Sequence, residues 1–452
     1  MIESIFWFTI FLNSNLLHLI NFIFKGLKLV KYQNFNNKGF SMVKNNEEKE
    51  KKEIKASRVL NNVSVKFNDP LPDVHTARAI IASCGWIDTT DGIVLIDTLN
   101  RRHTAKQVKE RIKGKIKYII YTHGHMDHVG GASVFLDDSP EIIANKYLPD
   151  RFDKYQMLAQ HRAHINAVQF NVPETLNSIK YVYPTKTFIG DLTIKLGDKT
   201  FELHTTRAET DDAVWVYVPE INAAFIGDLM IGRRFPNIGN PWKPTRFALD
   251  WAKTLEEIRN KEPEYIFCNG AGVMLKGNEA SEALDANIEV IRSLHDQVVD
   301  LINQGMHITE MIHAVKIPKS LERSQYLKQV YSRVEFFVYN VYRWYHGYFD
   351  DNPAHLLPRP EKEVMSEIFN LIGNSQKILN RTEELINQNQ TQLALQVLDI
   401  VIQIEPENID ARKLHLRLLE DLAARDSDLM SRNAWIYYIN KDKEFLKSKG
   451  ED

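Results

Sequence analysis

At 452 residues, with 26% charged and 44% apolar side chains, the chain has the makeup of a globular protein with room for two or three full cores. A formal charge of −2 leaves no electrostatic footprint for a nucleic-acid partner. Two cysteines, Cys84 and Cys268, exclude a disulfide framework, and as isolated thiols they read as small buried residues.

In chain order, Ile5 to Phe24 comes first, uncharged and long enough to cross a bilayer but interrupted by Asn13, Ser14, Asn15, His18 and Asn21. It reads as an extension ahead of a start at Met42, leading into a charged, disordered run, or as a membrane anchor through residues 5–24. In the second case Lys25, Lys28 and Lys31 keep the protein cytoplasmic. Neither a basic leader nor a small-residue cleavage site accompanies it, so a cleaved secretory signal is not expected. Short apolar runs then predict strands at 79–82, 93–96, 118–121, 141–144, 192–196, 214–218 and 223–226, with helices over 104–113 and 246–260. Strands with interspersed helices predict a layered α/β domain. From about 278 glycine thins out. A long helix is expected through 302, then an aromatic helix rich in core or interface residues from Tyr331 to Phe349, stopped by Asp350-Asp-Asn-Pro353. Residues 378–419 have the spacing of a tetratricopeptide-type helical hairpin, with too few units for a solenoid.

The chemistry concentrates directly behind the strand at 116–121. Thr122-His-Gly-His-Met-Asp-His128 packs His123, His125, Asp127 and His128 into six residues, followed by Gly130-Gly131, which are expected to let the backbone pass close to a metal. Imidazole and carboxylate at this spacing suit one or two zinc-type ions. The motif resembles the signature of the metallo-β-lactamase superfamily. Asp91-Gly-Ile-Val-Leu-Ile-Asp97 looks like its early strand, whose aspartate orients the metal loop, and Phe225-Ile-Gly-Asp228 like the strand whose acid bridges two metals. Glu209, nineteen residues before Asp228, is similar to the alkyl sulfatase branch. So is Val341-Tyr-Arg-Trp-Tyr-His-Gly-Tyr-Phe-Asp-Asp-Asn-Pro-Ala354, which resembles that family's dimerisation segment.

The resemblance implies an α/β fold, an αββα sandwich over 61–277, followed by an all-α dimerisation domain over 278–445, with 1–60 as an extension. It implies a homodimer acting on a small anionic ester, releasing an alcohol and sulfate. Complete relatives carry a further sterol-carrier-like domain that is not expected here. His123, His125 and Glu209 would hold one Zn2+, with the carboxylate adding negative charge and weakening the ion as a Lewis acid. Asp127, His128 and Asp228 would hold a second. Asp127 and Asp228 are the expected catalytic carboxylates. Ala271 stands where the family has a histidine, so the second ion is expected to be completed by Asn269 or His204, bound weakly, or dispensed with, leaving Asp127 as general base. Arg233 and Arg234 are read as sulfate-recognising guanidinium groups or as surface charges, and Tyr331 as a substrate-facing hydroxyl. Phe235 and Trp242 are read as an apolar wall or as core. Two other functions stay open: hydrolysis of a lactone, thioester, phosphoester or β-lactam, or a degenerate binding relative.

Overall fold

The computed structural model describes residues 63–172, 174, 180–269 and 272–451. The apolar 5–24 stretch and Ala271 lie outside these residues. Among them no helix is long and apolar enough to cross a membrane.

Two sheets form the first half. One runs in the order β1 (Lys66–Leu71), β2 (Val74–Ala79), β3 (Ala82–Thr89), β4 (Gly92–Ile96), β5 (Ile116–Ile120), β6 (Glu141–Asn145), β7 (Lys186–Phe188). The other holds β8 (Asp191–Leu196), β9 (Lys199–Thr206), β10 (Ala213–Val218), β11 (Ala223–Phe225), β12 (Tyr265–Cys268) and β13 (Val273–Lys276), in reverse order from β13 to β8. Alternation along each strand sorts the side chains into layers. Val94, Ile96, Ile120, Val214, Val216, Phe225 and Phe267 face inward and form one core between the sheets. Leu95, Ile119 and Tyr121 point the other way, into a core that includes Ala105 and Val108 of the helix Arg102–Arg111. Trp215, Ala224, Ile266 and Cys268 face the helices Ala248–Asn260 and Asn278–Asn303 on the opposite outer face. This is the expected αββα sandwich. Both cysteines are free and fully buried, as expected, and burial pushes both thiols up, Cys268 to about 12.

Most of the expected strands form, but the apolar run at 79–82 is a hairpin tip. Ile80 takes a positive φ of 58° between β2 and β3, and Ile80 and Ile81 are left exposed. Their β-branched character suggests a strand, whereas the register of β2 on β3 requires the chain to reverse there.

The boundary expected at 277 falls inside a single packed core. Trp251 and Leu255 of one helix, Val290 and Leu294 of the next, and Phe337 and Val338 of the helix Val334–Tyr345 belong to one cluster. That aromatic helix stops at Tyr345, earlier than the Asp350–Pro353 break, with its last turn capped by the amide of His346. Its stripe, expected as core or interface, has Phe337 buried while Trp344 and Tyr345 are about half exposed. Beyond it, Ser375–Asn387, Thr391–Ile404 and Ile409–Arg425 pack as successive antiparallel helices around Leu385, Leu398, Val401 and Leu418. The final helix, Leu429–Ser448, returns to the sandwich, where Asn433 donates to the carbonyl of Gln169.

Gly130 and Gly131 permit a close approach of two backbone segments. A Cβ on Gly131 would sit 2.0 Å from the Thr98 carbonyl oxygen, and one on Gly130 2.4 Å from that of Asn100. They let the histidine turn lie against the loop after β4. Gly131→Ala is therefore expected to cost about 1–3 kcal/mol by overpacking, measured as a lowered denaturation midpoint with an unchanged m-value.

Candidate metal centre

The sheet ends place the histidine cluster. β5 stops at Ile120, and the chain turns through residues 121–125 into the single helical turn Met126–Val129. Asp97, at the end of β4, holds this turn. It is fully buried with a positive φ of 61°. One carboxylate oxygen accepts from the Thr122 amide (2.8 Å), and the other from the Thr122 hydroxyl (2.8 Å) and from His128 Nδ1 (2.7 Å). That last bond presents His128 Nε2 to the pocket. A second buried carboxylate, Asp212, accepts from the Gly124 amide (2.8 Å) and pairs with Arg151 Nε (2.7 Å). The backbone between His123 and His125 is thus pinned from the other sheet.

Two groups of donor atoms result. His123 Nε2 lies 2.9 Å from His125 Nδ1, and Glu209 Oε2 lies 3.7 and 3.5 Å from the same two atoms. Bonds of 2.0–2.1 Å in a tetrahedral set place ligand atoms about 3.3 Å apart, so these three atoms are spaced to share one ion. His123, His128 and Asp228 form the second compact group, with His128 Nε2 3.5 Å from Asp228 Oδ1. Asp127 stands beside this group rather than in it, its Oδ2 3.6 Å from His128 Nε2. His123 belongs to both groups, so they adjoin.

The unmet bonding here fits a cation. Glu209 Oε1 accepts from Asn237 Nδ2 (2.7 Å) and Arg246 Nη1 (2.5 Å), whereas its buried Oε2 has no hydrogen-bond partner. Asp228 Oδ1 is likewise buried without one. Leaving a buried carboxylate oxygen unpaired is costly, and both orphans face imidazole nitrogens. The charge states agree with this. Burial, aided by repulsion from His128 and His125, drives His123 well below the usual histidine range, and burial also lowers His125, so both rings are neutral. Burial opposes ionisation of Glu209, but Arg246 and His125 outweigh it and hold the carboxyl well below its ordinary value. Burial pushes Asp228 up to about 7 against the pull of His128. For His128, burial is outweighed by Asp228, Asp97 and Asp127, which keep it protonated until an ion displaces the proton.

Of the other expected residues, Tyr331 lines this pocket and its hydroxyl accepts from Gln169 Nε2 at 3.3 Å. Burial and the nearby Glu209 carboxylate raise it far above the usual tyrosine range, so the hydroxyl keeps its proton. Arg233 and Arg234 do not line it. Arg233 turns outward and pairs with Glu279, while the backbone of Arg234 bridges to Lys328. The cationic lining comes instead from Arg162, Lys243 and Arg246. Phe235 is core, packed against Phe337, and Trp242 is half-buried outside the lining. His204 pairs with Asp191 and stacks on Trp215, outside both donor groups. Sequence reading missed Asn237, Arg246, Arg162, Lys243 and the buried role of Asp212. Only Asp212, next to the Glu209 turn, stood close enough in sequence to be found.

Known proteins resemble both halves of the chain. The metallo-beta-lactamase superfamily signature matches residues 77–270, and the alkyl sulfatase dimerisation signature matches 307–444. A Pseudomonas (R)-specific secondary-alkylsulfatase is 24% identical over 83% of this chain and 62% of its own length. An alkyl/aryl-sulfatase of Saccharomyces cerevisiae is 21% identical over 80% of this chain and 62% of its own length. The chain thus spans about three fifths of these relatives. A solved stereoselective inverting sec-alkylsulfatase from Pseudomonas has a TM-score of 0.76 at 22% identity, covering 84% of this chain and 65% of that one.

Asp97→Asn keeps the size of the side chain but removes the charge behind His128. Zinc affinity, measured by competition with a chromogenic chelator, is expected to fall about 10–100-fold. Asp212→Ala leaves the buried Gly124 amide without its acceptor and Arg151 with Asp211 as its remaining carboxylate, and chemical denaturation is expected to register a loss of about 1–3 kcal/mol.

Proposed function

We propose that this chain, whose two halves match the metallo-beta-lactamase superfamily and alkyl sulfatase dimerisation models, hydrolyses alkyl sulfate esters, taking ester and water to an alcohol and hydrogen sulfate. The observation that carries this reading is the pair of buried, unpartnered carboxylate oxygens, Glu209 Oε2 and Asp228 Oδ1, set against neutral and charged imidazoles. His123, His125 and Glu209 would hold one zinc ion, and His128 and Asp228, with His123 alongside, a second. When bound, such an ion supplies Lewis acidity and brings the pKa of a water molecule to about 7.

The residues around it divide the remaining work. Asp127 is about a quarter exposed at the pocket edge, and its Oδ2 accepts the proton of the attacking water and passes it to the leaving-group oxygen. Tyr331, which keeps its proton, donates a hydrogen bond to a sulfate oxygen of the ester. Arg246 and Asn237 keep Glu209 ionised and fix its orientation. Arg246 is held in turn by Asn340, which accepts from its amide at 2.6 Å and donates to its carbonyl at 3.0 Å.

We also propose that the chain works as a homodimer. The amphipathic helix Glu361–Ile372 buries no residue of its own, and Tyr348, Leu357 and Leu371 are each more than 80% exposed. A second copy would cover this surface.

Zinc-loaded protein is expected to release sulfate from dodecyl sulfate, with activity reduced at least 1,000-fold in His123→Ala and the zinc content reduced with it. Loss of metal without loss of activity would refute the centre. Preference for carboxylic or phosphoric over sulfuric esters would favour the other hydrolase reading. Leu371→Asp is expected to convert a dimer to a monomer in light scattering while the far-ultraviolet circular dichroism stays unchanged.

A further inference from the structure

A separate cleft of 200 Å³ opens between the start of the helix Ala248–Asn260, the helix Asn278–Asn303 and the end of the helix Val334–Tyr345. None of the metal-donor residues lines it. At about 30 Å³ per water it has the volume of roughly seven waters, room for one aromatic ring with a short acyl group. Phe247 and Trp344 form an aromatic corner there, edge to face with ring centroids 5.4 Å apart.

Three side chains at this cleft form a relay. Asp296 Oδ1 lies 2.9 Å from His295 Nδ1, and His295 Nε2 lies 2.8 Å from the Tyr345 hydroxyl. An exposed carboxylate only accepts, so it fixes the ring proton on Nδ1 and leaves Nε2 as an acceptor. The Tyr345 hydroxyl then donates to His295, and its oxygen keeps its lone pairs free. His295 is buried and Tyr345 half exposed, so the base is held in place while the phenol reaches solvent. Nucleophile, base and orienting carboxylate stand in the order that activates a weak hydroxyl nucleophile. Donors for a developing oxyanion line the same cleft. The helix Ala248–Asn260 begins there, its first amides have no acceptor within the helix, and Phe247 at its N-cap supplies no side-chain acceptor.

Independently of the metal centre, we propose that this cleft is a second reactive site, at which Tyr345 accepts an acyl group from small aryl esters of carboxylic acids. The Tyr345 oxygen attacks the ester carbonyl carbon while His295 Nε2 takes the phenolic proton. The bond from that carbon to the aryl oxygen then breaks. His295 passes its proton to the departing aryl oxide, leaving acyl-Tyr345 and a free phenol. Water, giving a proton to His295, attacks the acyl group, releases the carboxylic acid and restores the Tyr345 hydroxyl. Asp296 holds the imidazole and offsets the positive charge it carries in transit. The corner of Phe247 and Trp344 receives the aryl ring.

Stopped-flow mixing of the zinc-loaded full-length chain with p-nitrophenyl acetate is expected to give a stoichiometric burst of nitrophenol. Peptide mass spectrometry is expected to find the acetyl group on Tyr345. Hydrolysis at the metal centre leaves no acyl group on the protein, so the adduct separates the two sites. Tyr345→Phe is expected to remove burst and adduct together, with an unchanged far-ultraviolet circular dichroism spectrum. His295→Gln is expected to slow the burst about 100-fold and Asp296→Asn about tenfold. Tyr348 is more exposed than Tyr345 but has no such base, and is expected to acetylate far more slowly. A burst that survives Tyr345→Phe, a rate unmoved by His295→Gln, or acetylation of Tyr348 as fast as Tyr345 overturns the proposal. Steady nitrophenol release with neither burst nor adduct assigns ester cleavage to the metal centre and overturns it as well.

Discussion

The centre depends on one buried carboxylate. Asp97 ends β4 and, by bonding the amide and hydroxyl of Thr122 and the ring of His128, ties the end of one strand to the whole turn that follows the next. Parallel pairing of β4 with β5 brings the two strand ends side by side, so a short side chain spans the gap. A buried charge at this point is tolerable because each oxygen is used. The positive φ at Asp97 is the strain that accompanies this placement.

A second constraint reaches the centre from the helical half. Asn340 grips the backbone of Arg246, and the guanidinium of Arg246 grips Glu209. Gln169, supported by the last helix through Asn433, meets Tyr331 across the pocket. The outer helices are therefore part of the frame that aims the pocket side chains, and the continuous core through Trp251, Val290 and Phe337 supplies the stiffness.

The sandwich was legible because strand alternation is a local property. Leu95 and its neighbours Val94 and Ile96 announce two opposite cores in three residues. The histidine turn was legible for the same reason, and Glu209 through its spacing to Asp228. What stayed hidden was whatever the chain assembles from distant segments. Arg162, Lys243 and Arg246 converge from two parts of the sequence with no shared pattern. Arg233 misled because nearness to Asp228 in sequence was taken for nearness in space, and the backbone carries it out to Glu279. Ile80 and Ile81 misled because residue type favours a strand where register demands a reversal.

The pairing of Glu209 with Arg246 also revises the electrical character of the centre. By itself, a carboxylate in place of an imidazole adds a full negative charge to the ion's surroundings and blunts its pull on a bound ligand. Here a fixed guanidinium lies 2.5 Å from the oxygen that faces away from the ion. The guanidinium lies beyond the far oxygen and so offsets part of the carboxylate's charge, while the nearer oxygen still dominates the field at an ion between His123, His125 and Glu209. The exchange of donor atom thus changes which metals bond well there, and Arg246 limits how far the added charge blunts their electron-withdrawing strength.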